Sequence, residues 1–266
     1  PSARLLWQPK DKHALWMAVS KASRTPSRAE TSLLGHQEYV PANPPTLPVP
    51  VLITGIGNPK QKSESLIAYE VGYRFHVADQ FSFDISGFYN DYSDLRTIEA
   101  RQLNYAHLPA YLEQIYNFDN NGKGHSWGTE IAVDWRWTKN ARLQMAYSYL
   151  EMDLKKDYGS TDISLDAAEK SSPKQQLSVR LDYDPATNWE TDLWLRYTDD
   201  VYASGDISDY WTLDARLAWL VNKKLTLSLV GQNIFDSSQM EYRDELRMIE
   251  STEVPRGFYA RAVWKF

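Results

Sequence analysis

The chain contains 266 residues, no cysteine and a formal net charge of −6. The lack of cysteine excludes disulfides, thiolate metal sites and a thiol nucleophile, and the acidic balance argues against a nucleic-acid partner. No run of about 18 apolar residues occurs, so the sequence predicts no transmembrane helix. Membrane-spanning strands alternate in polarity, so this composition is compatible with a transmembrane β-barrel.

Alternation of apolar and polar residues predicts β-strands along the whole chain and no amphipathic helix between them. The predicted fold class is therefore all-β, an antiparallel meander. About eleven strands are predicted, at 2–8, 12–23, 65–77, 81–97, 115–137, 141–154, 173–183, 189–201, 210–221, 224–235 and 257–266.

The connections between these strands alternate in length. Short turns are predicted at 9–11, 78–80, 138–140, 184–188 and 221–223, and long loops at 24–64, 98–114, 155–172, 202–209 and 236–256. In an antiparallel meander every second connection lies at the same end, so all the long loops share one end. This asymmetry is typical of transmembrane barrels, whose turns are periplasmic and whose loops are extracellular. The first loop is rich in proline, so we expect an extended, mobile cover.

The last strand is the clearest single signal. Phe258, Ala260, Ala262, Trp264 and Phe266 share one face, and polar residues alternate with them. Ten residues at strand rise span roughly 33 Å, enough to cross a membrane's hydrocarbon core when tilted. The pattern predicts the closing strand of a transmembrane barrel, with an aromatic residue at the end of the chain.

Six tryptophans lie beside short turns or the C-terminus, on the apolar face of their strands. They are Trp7, Trp135, Trp137, Trp189, Trp219 and Trp264. Tryptophan at one height on an apolar face is typical of a membrane–water interface, so we expect a belt in contact with the lipid bilayer. The opposite belt is expected from Tyr89, Tyr147, Tyr149, Tyr197 and Phe258.

The opposite face of the strands is heavily charged, for example at Glu70, Arg74, Asp84 and Arg196. Small barrels fill their interior with side chains, so a charged inner face favours a wide barrel that contains water or a polar plug. A soluble β-sandwich or propeller is the alternative.

Several segments together resemble TonB-dependent outer-membrane receptors, and the resemblance covers essentially the whole chain. The motifs are E-V-G-Y-R-F at 70–75, F-Y-N-D-Y-S-D-L at 88–95, G-T-E-I at 128–131, Y-W-T-L-D-A-R at 210–216, G-Q-N-I-F-D at 231–236 and P-R-G-F at 255–258. The family has a 22-stranded barrel that is filled by an N-terminal plug. The resemblance implies that residues 1–266 are the C-terminal part of the barrel domain, with plug, TonB box, leader and early strands outside this sequence.

The resemblance implies a function in the bacterial outer membrane, where a scarce nutrient complex binds at the extracellular mouth and is imported with energy from the TonB complex. A ferric siderophore is the commonest ligand class in the family, with cobalamin, haem and carbohydrate as alternatives. It also implies that the barrel-assembly machinery recognises Phe266. A passive porin or structural barrel and a soluble enzyme on a β-scaffold are the competing hypotheses.

Motifs that suggest catalysis or metal binding lack their usual setting. G-H-S-W-G at 124–128 fits a hydrolase elbow, but the residues after it continue as a strand. D-N-N-G-K-G at 119–124 nearly fits a calcium loop, but Lys123 occupies a ligand position. The five histidines show no paired metal spacing, and G-I-G-N-P-K at 55–60 is interpreted as a plain loop. We therefore expect no enzyme activity, no cofactor and no metal.

Two of the long loops combine arginine with tyrosine, which suits an anionic or aromatic ligand through charge-assisted hydrogen bonds and cation–π contacts. The candidate ligand-binding residues are Arg101, Tyr105, Tyr111, Tyr116, Tyr242, Arg243 and Arg247. The alternative is that these residues are simply solvated loop residues.

Overall fold

The computed structural model describes residues 1–101, 103–202, 207–242 and 252–266. The elements in chain order are β1 (Ser2–Lys10), β2 (His13–Arg24), α1 (Arg28–Ser32), β3 (Leu34–Val40), β4 (Val51–Ile56), β5 (Glu64–Val77), β6 (Phe81–Ala100), β7 (Leu112–Thr138), β8 (Ala141–Lys156), α2 (Leu165–Glu169), β9 (Gln175–Ala186), β10 (Trp189–Thr198), β11 (Tyr210–Leu220), β12 (Leu225–Gln232), β13 (Ser238–Met240), β14 (Glu253–Pro255) and β15 (Gly257–Trp264).

Eleven strands form one antiparallel meander in the order β1-β2-β5-β6-β7-β8-β9-β10-β11-β12-β15. These are the eleven strands that the sequence predicts, so the all-β meander is confirmed. Among the described residues β1 pairs only with β2, and β15 only with β12. The sheet is therefore a partial barrel that does not close on itself.

The short turns and long loops also alternate as predicted, which defines a short-turn end and a long-loop end. The short turns are stabilised locally. For example, the side chain of Asn222 accepts hydrogen bonds from the backbone N–H groups of Lys224 and Leu225. Such Asx turns reverse the chain without help from distant residues.

The two faces of the sheet have different chemistry, because successive side chains of a strand point to opposite faces. Large apolar side chains such as Leu5, Val71 and Leu229 are exposed on the outer face. The inner face lines two open cavities of about 710 and 670 Å³. Ion pairs cross between neighbouring strands on that face, such as Arg196 with Asp214 at 2.8 Å.

The described part of the chain has almost no packed apolar core. The buried apolar residues are Ala18, Ala141, Leu165, Ile207 and Ala218. A soluble β-sandwich of this size would instead bury the apolar faces of two packed sheets. The sheet is therefore stabilised by the backbone hydrogen bonds between its strands and by the medium that contacts its outer face.

The long loop between β2 and β5 is folded, so the expectation of an extended loop is wrong. Ser27 and Glu30 form a capping box that starts α1. β3 and β4 then form a hairpin, and β4 pairs in parallel with β7, with Val51 opposite Leu112. The prolines that suggested an extended loop are confined to the connection between β3 and β4: Pro41, Pro44, Pro45, Pro48 and Pro50.

Two neighbouring residues of β8 test which face contacts lipid. Met145 pairs with the outer residues Val133 and Val179, whereas Gln144 pairs with Asp134 and Arg180 on the inner face. We expect Met145→Arg to cost ~2–4 kcal/mol of folding free energy in a bilayer and Gln144→Arg much less, because only the first puts a charge into lipid. Urea titration of the complete receptor refolded into bilayers measures both. Equal losses would contradict the assignment of the faces.

Candidate functional site

The long-loop end contains a small wall of additional sheet, formed by β4 and by the ends of β6 and β7, beyond the main sheet. The pairing of β7 with β8 ends at Gly122 and Lys156, and above that point β4 takes the place of β8 along residues 112–117 of β7. Register shifts between β6 and β7 occur at the same height. The result is a short extension of β6 and β7, flanked by β4, at the long-loop end of the meander.

A buried carboxylate anchors α1 to this wall. Glu30 is 3% exposed, and its Oε1 accepts a hydrogen bond of 2.9 Å from Arg24 Nη2. Arg24 also donates to Glu64 at 2.6 Å, and Arg96 Nη1 lies 3.4 Å from Glu30. Burial raises the pKa of Glu30, but hydrogen bonds from Arg24 and Ser27 outweigh burial and lower the pKa to about 2.

A second carboxylate joins β4 to the loop between β6 and β7. Glu113 accepts a hydrogen bond of 2.7 Å from Thr54 Oγ1 and one of 2.9 Å from Asn104 Nδ2. These hydrogen bonds from Thr54 and Asn104 lower the pKa of Glu113, which lies in the extension of β7. His36 Nδ1 lies 3.1 Å from Thr54 Oγ1, so the hairpin and the loop form one connected polar network.

A cavity of about 630 Å³ opens beside this wall, between the segment after β4 and the extension of β6 and β7. Its lining contains three cationic side chains, one carboxylate and several carboxamides, together with two isoleucines. The lining residues are Ile56, Gly57, Asn58, Pro59, Lys60, Lys62, Arg101, Ile115, Asn117, Asp119, Asn120 and Asn121. Such a lining suits a polar, negatively charged ligand.

The segment G-I-G-N-P-K at 55–60, which the sequence analysis interprets as a plain loop, supplies one side of this cavity. Gly57 packs so tightly on α1 that an added Cβ would lie 2.5 Å from the backbone nitrogen of Ser32. The only sequence signal of this close contact between Gly57 and α1 is a glycine next to an Asn-Pro turn that is followed by a lysine. Lys60, Lys62 and Asn117 were not predicted as candidate site residues.

The structure separates the ligand-binding residues that the sequence predicts. Arg101 lines the cavity, but Tyr116 does not, because it lies between Ile115 and Asn117 and points to the opposite face of β7. Tyr105 is exposed at the tip of the loop. Tyr111 stacks on the imidazole of His107, with ring centroids 4.7 Å apart.

The second predicted loop lies elsewhere on the rim. Tyr242 is 66% exposed, whereas Arg243 and Arg247 lie outside the described residues. Four strands, β8 to β11, separate β7 from β12 in the sheet, which corresponds to about 24 Å at the usual strand spacing. The structure therefore does not bring the described residues of the two loops together.

The six tryptophans of the expected membrane belt are all exposed and lie near the short-turn end or the C-terminus. Trp189 and Trp219 are cross-strand partners whose rings stack at 6.1 Å. Trp135 and Trp137 contact each other at 5.5 Å. Phe266 is fully exposed beyond the end of β15. Their roles at the membrane interface and in assembly stay predictions.

The motifs that suggested chemistry lie inside β7. Ser126, the serine of the hydrolase-like motif, is 1% exposed and lies within hydrogen-bond distance of Asn90 and Tyr92. It belongs to a continuous strand and not to the strand-to-helix turn of a hydrolase elbow. No group of three or more His, Cys, Asp or Glu side chains in the described part of the chain is placed to hold a metal ion. Neither short helix has the length and apolar character needed to cross a membrane.

The model of the TonB-dependent receptor-like β-barrel family matches residues 1–234. The chain belongs to this family. Barrels of the family are bacterial outer-membrane proteins. Comparison with curated proteins gives no match.

Solved structures of whole receptors show the same fold. The siderophore receptor PirA from Acinetobacter baumannii is 18% identical, with a TM-score of 0.68. A mutant of the ferric enterobactin receptor PfeA from Pseudomonas aeruginosa is 15% identical, with a TM-score of 0.70. The ferric-catecholate import receptor Fiu from E. coli is 16% identical, with a TM-score of 0.70. Each alignment covers 100% of this chain but only 41%, 40% and 34% of the respective receptor.

The buried Glu30 makes the anchoring of α1 dependent on pH. Because the folded pKa of about 2 lies below the ordinary value of 4.5, the carboxylate stabilises the anchored state above pH 4.5. That stabilisation, on the order of 3 kcal/mol, is lost as the pH falls from 4.5 towards 2. We expect the protection factors of the α1 amides of the complete receptor, which are corrected for the pH dependence of intrinsic exchange, to fall over this window.

The Glu30→Gln variant should have lower protection factors in α1 at neutral pH, and these should fall little further on acidification. Glu38→Gln, at an exposed position in β3, is the matched control and should behave like the wild type. Wild-type protection that does not change down to pH 3 would contradict the role of Glu30.

Proposed function

We propose that the chain, residues 1–266, is the C-terminal part of the barrel domain of a TonB-dependent receptor that imports a ferric siderophore across the outer membrane. The observation that carries the proposal is the membership of the family over residues 1–234 together with the eleven-strand meander. The similar solved structures include receptors that are named for siderophores, enterobactin and ferric catecholates. These names supply the ligand class.

The charge pattern of the inner wall fits a barrel that encloses a polar plug. Arg216 donates to both Glu190 and Asp192, and Arg180 lies 3.7 Å from Asp192. Such a wall is too polar to collapse on itself as an apolar core, and it offers complementary charges to a folded domain. In the proposed receptor that domain is the N-terminal plug, and the TonB complex acts on it from the periplasm.

Ligand selection is proposed to lie at the extracellular end, in the long loops. The strands carry the hydrogen-bond ladder, so the loops vary without disturbing the wall. Arg101, Tyr105, Tyr111, Tyr116, Tyr242, Arg243 and Arg247 remain the proposed contact residues. Of these, Arg101 has the strongest support, because it lines the extracellular cavity.

An uptake experiment separates import from passive diffusion. Cells whose only siderophore receptor is the complete protein should accumulate radioactive iron from a ferric siderophore, tested in turn with a catecholate and a carboxylate siderophore. Removal of TonB or of the proton-motive force should abolish the accumulation. Uptake that persists without TonB would favour a passive porin and contradict the proposal. The short-turn variant Lys139→Ala is the control and should transport like the wild type.

The exposed Phe266 tests the proposed contact with the barrel-assembly machinery. Its side chain extends past the end of β15 and contributes nothing to the ladder, so its deletion should leave the folded wall intact. We expect the deletion to lower the amount of receptor in the outer membrane several-fold, measured by immunoblotting of isolated outer membranes. Phe258→Ala, at the other end of the same strand, is the control. Unchanged levels after deletion of Phe266 would remove the support for an assembly signal.

A further inference from the structure

We infer that the extracellular cavity beside β4 binds a hydroxycarboxylate group, that is, a carboxylate with a hydroxyl group close by. The inference deepens the proposed function, on which it rests, because it names the chemical group of the ligand that this part of the mouth would hold. It depends on two independent features of the lining, namely unpaired cations and one buried acceptor without a partner.

The cations of the lining are only partly neutralised. Lys62 lies 3.1 Å from Asp94, so its charge is paired. Arg101 and Lys60 have no carboxylate within 4 Å among the described residues. Asp119 is the one acidic residue of the lining. The two unpaired cations outnumber it, so the cavity attracts anions, and Arg101 offers a planar set of donors that matches a carboxylate.

The second feature is the side chain of Asn117, which is 8% exposed and lines the same cavity. Its Nδ2 donates a hydrogen bond of 3.1 Å to the carbonyl oxygen of Phe118, which fixes the orientation of the amide. Its Oδ1 is buried and has no hydrogen-bond partner. Buried acceptors are nearly always paired in folded proteins, so this oxygen is left for a donor from outside the protein, either a water molecule or a hydroxyl group of a ligand.

The walls of the cavity are held before any ligand arrives. Asn120 Oδ1 accepts from the backbone of Lys62 at 2.7 Å, and Asn120 Nδ2 donates back to its carbonyl oxygen at 3.2 Å. Gln61 Nε2 donates to the carbonyl oxygen of Asp119 at 2.9 Å. Asn58 is tied to the carbonyl oxygen of Glu30 at 2.7 Å. A preformed site of this kind binds with a smaller loss of conformational entropy.

A hydroxycarboxylate satisfies both features at once. Its carboxylate groups accept hydrogen bonds from Arg101 and Lys60, and its hydroxyl group donates to Asn117 Oδ1. A purely anionic ligand would leave that oxygen unpaired, and an uncharged alcohol would leave the cations unpaired. The cavity of about 630 Å³ lies within the usual range of ~300–1,000 Å³ for organic ligands.

Citrate and tricarballylate form a matched pair of probes, because they differ only in the hydroxyl group of citrate. Equilibrium binding of both to the purified complete receptor is measured by calorimetry at fixed ionic strength. We expect the wild type to bind citrate about 3- to 10-fold more tightly, which is the effect of one hydrogen bond. Asn117→Ala should remove this preference and leave the affinity for tricarballylate unchanged.

Two further variants test the cationic part of the site. Arg101→Ala should weaken both probes about 10-fold or more and keep the preference for citrate. Lys60→Ala, in an exposed turn, should do the same to a smaller extent, so the cationic part of the site is tested even if Asn117→Ala does not fold. Lys139→Ala is the control and should change neither affinity.

Equal wild-type affinities for the two probes, or no binding of either, would overturn the inference. So would a loss of both affinities in Asn117→Ala, which would mean that the amide only supports the wall. Iron uptake distinguishes this failure from that of the proposed function. TonB-dependent siderophore uptake without citrate binding would leave the function standing, whereas citrate preference without uptake would leave the site standing.

Discussion

The structure depends above all on the pairing of backbone hydrogen bonds between neighbouring strands. A strand that crosses lipid has no water to satisfy its N–H and C=O groups, so each edge must pair with another strand. The meander meets this requirement for every strand between β2 and β12. Because backbone hydrogen bonds stabilise the sheet, its side chains need not form an apolar core. The two faces of the sheet can therefore differ in chemistry. One face presents apolar and aromatic groups, and the other presents paired charges.

The same requirement explains the unusual parallel pairing at the long-loop end. β7 is 27 residues long and extends beyond the end of β8. Without β4, the edge of β7 beyond β8 would therefore be unpaired. β4 covers that edge along residues 112–117 and brings the rest of its loop with it. The loop is thereby attached to the sheet by additional backbone pairing between β4 and β7.

Carboxylates with low exposure stabilise the positions of the loops through hydrogen bonds between segments. Glu30, Glu99 and Glu113 each lie on one segment and collect donors from another. Glu99, for instance, accepts hydrogen bonds from Ser160 and Thr161 of the loop before α2. A buried charge is tolerated only when it is fully paired, so each of these sites fixes the relative position of two segments. Arg101 and Lys60 take no part in this pairing, which leaves them available to a ligand.

The sequence by itself determined the eleven strands, their order and the two unlike ends. It did so because the period of two along a strand and the chemistry of short turns are local properties. The positions of the tryptophans followed from the same period. The sequence could not determine how the first loop folds, because the pairing of Val51 with Leu112 joins segments far apart in the chain.

The candidate site divides in the same way. The combination of arginine and tyrosine identified Arg101 as a candidate, but the partners of Arg101 come from other segments. Only the tertiary structure brought it into one cavity with Lys60 and Asn117, and turned Tyr116 to the other face of β7. The physical reason is that a site formed where loops meet depends on which edges of the sheet are free, and that is decided by the whole ladder.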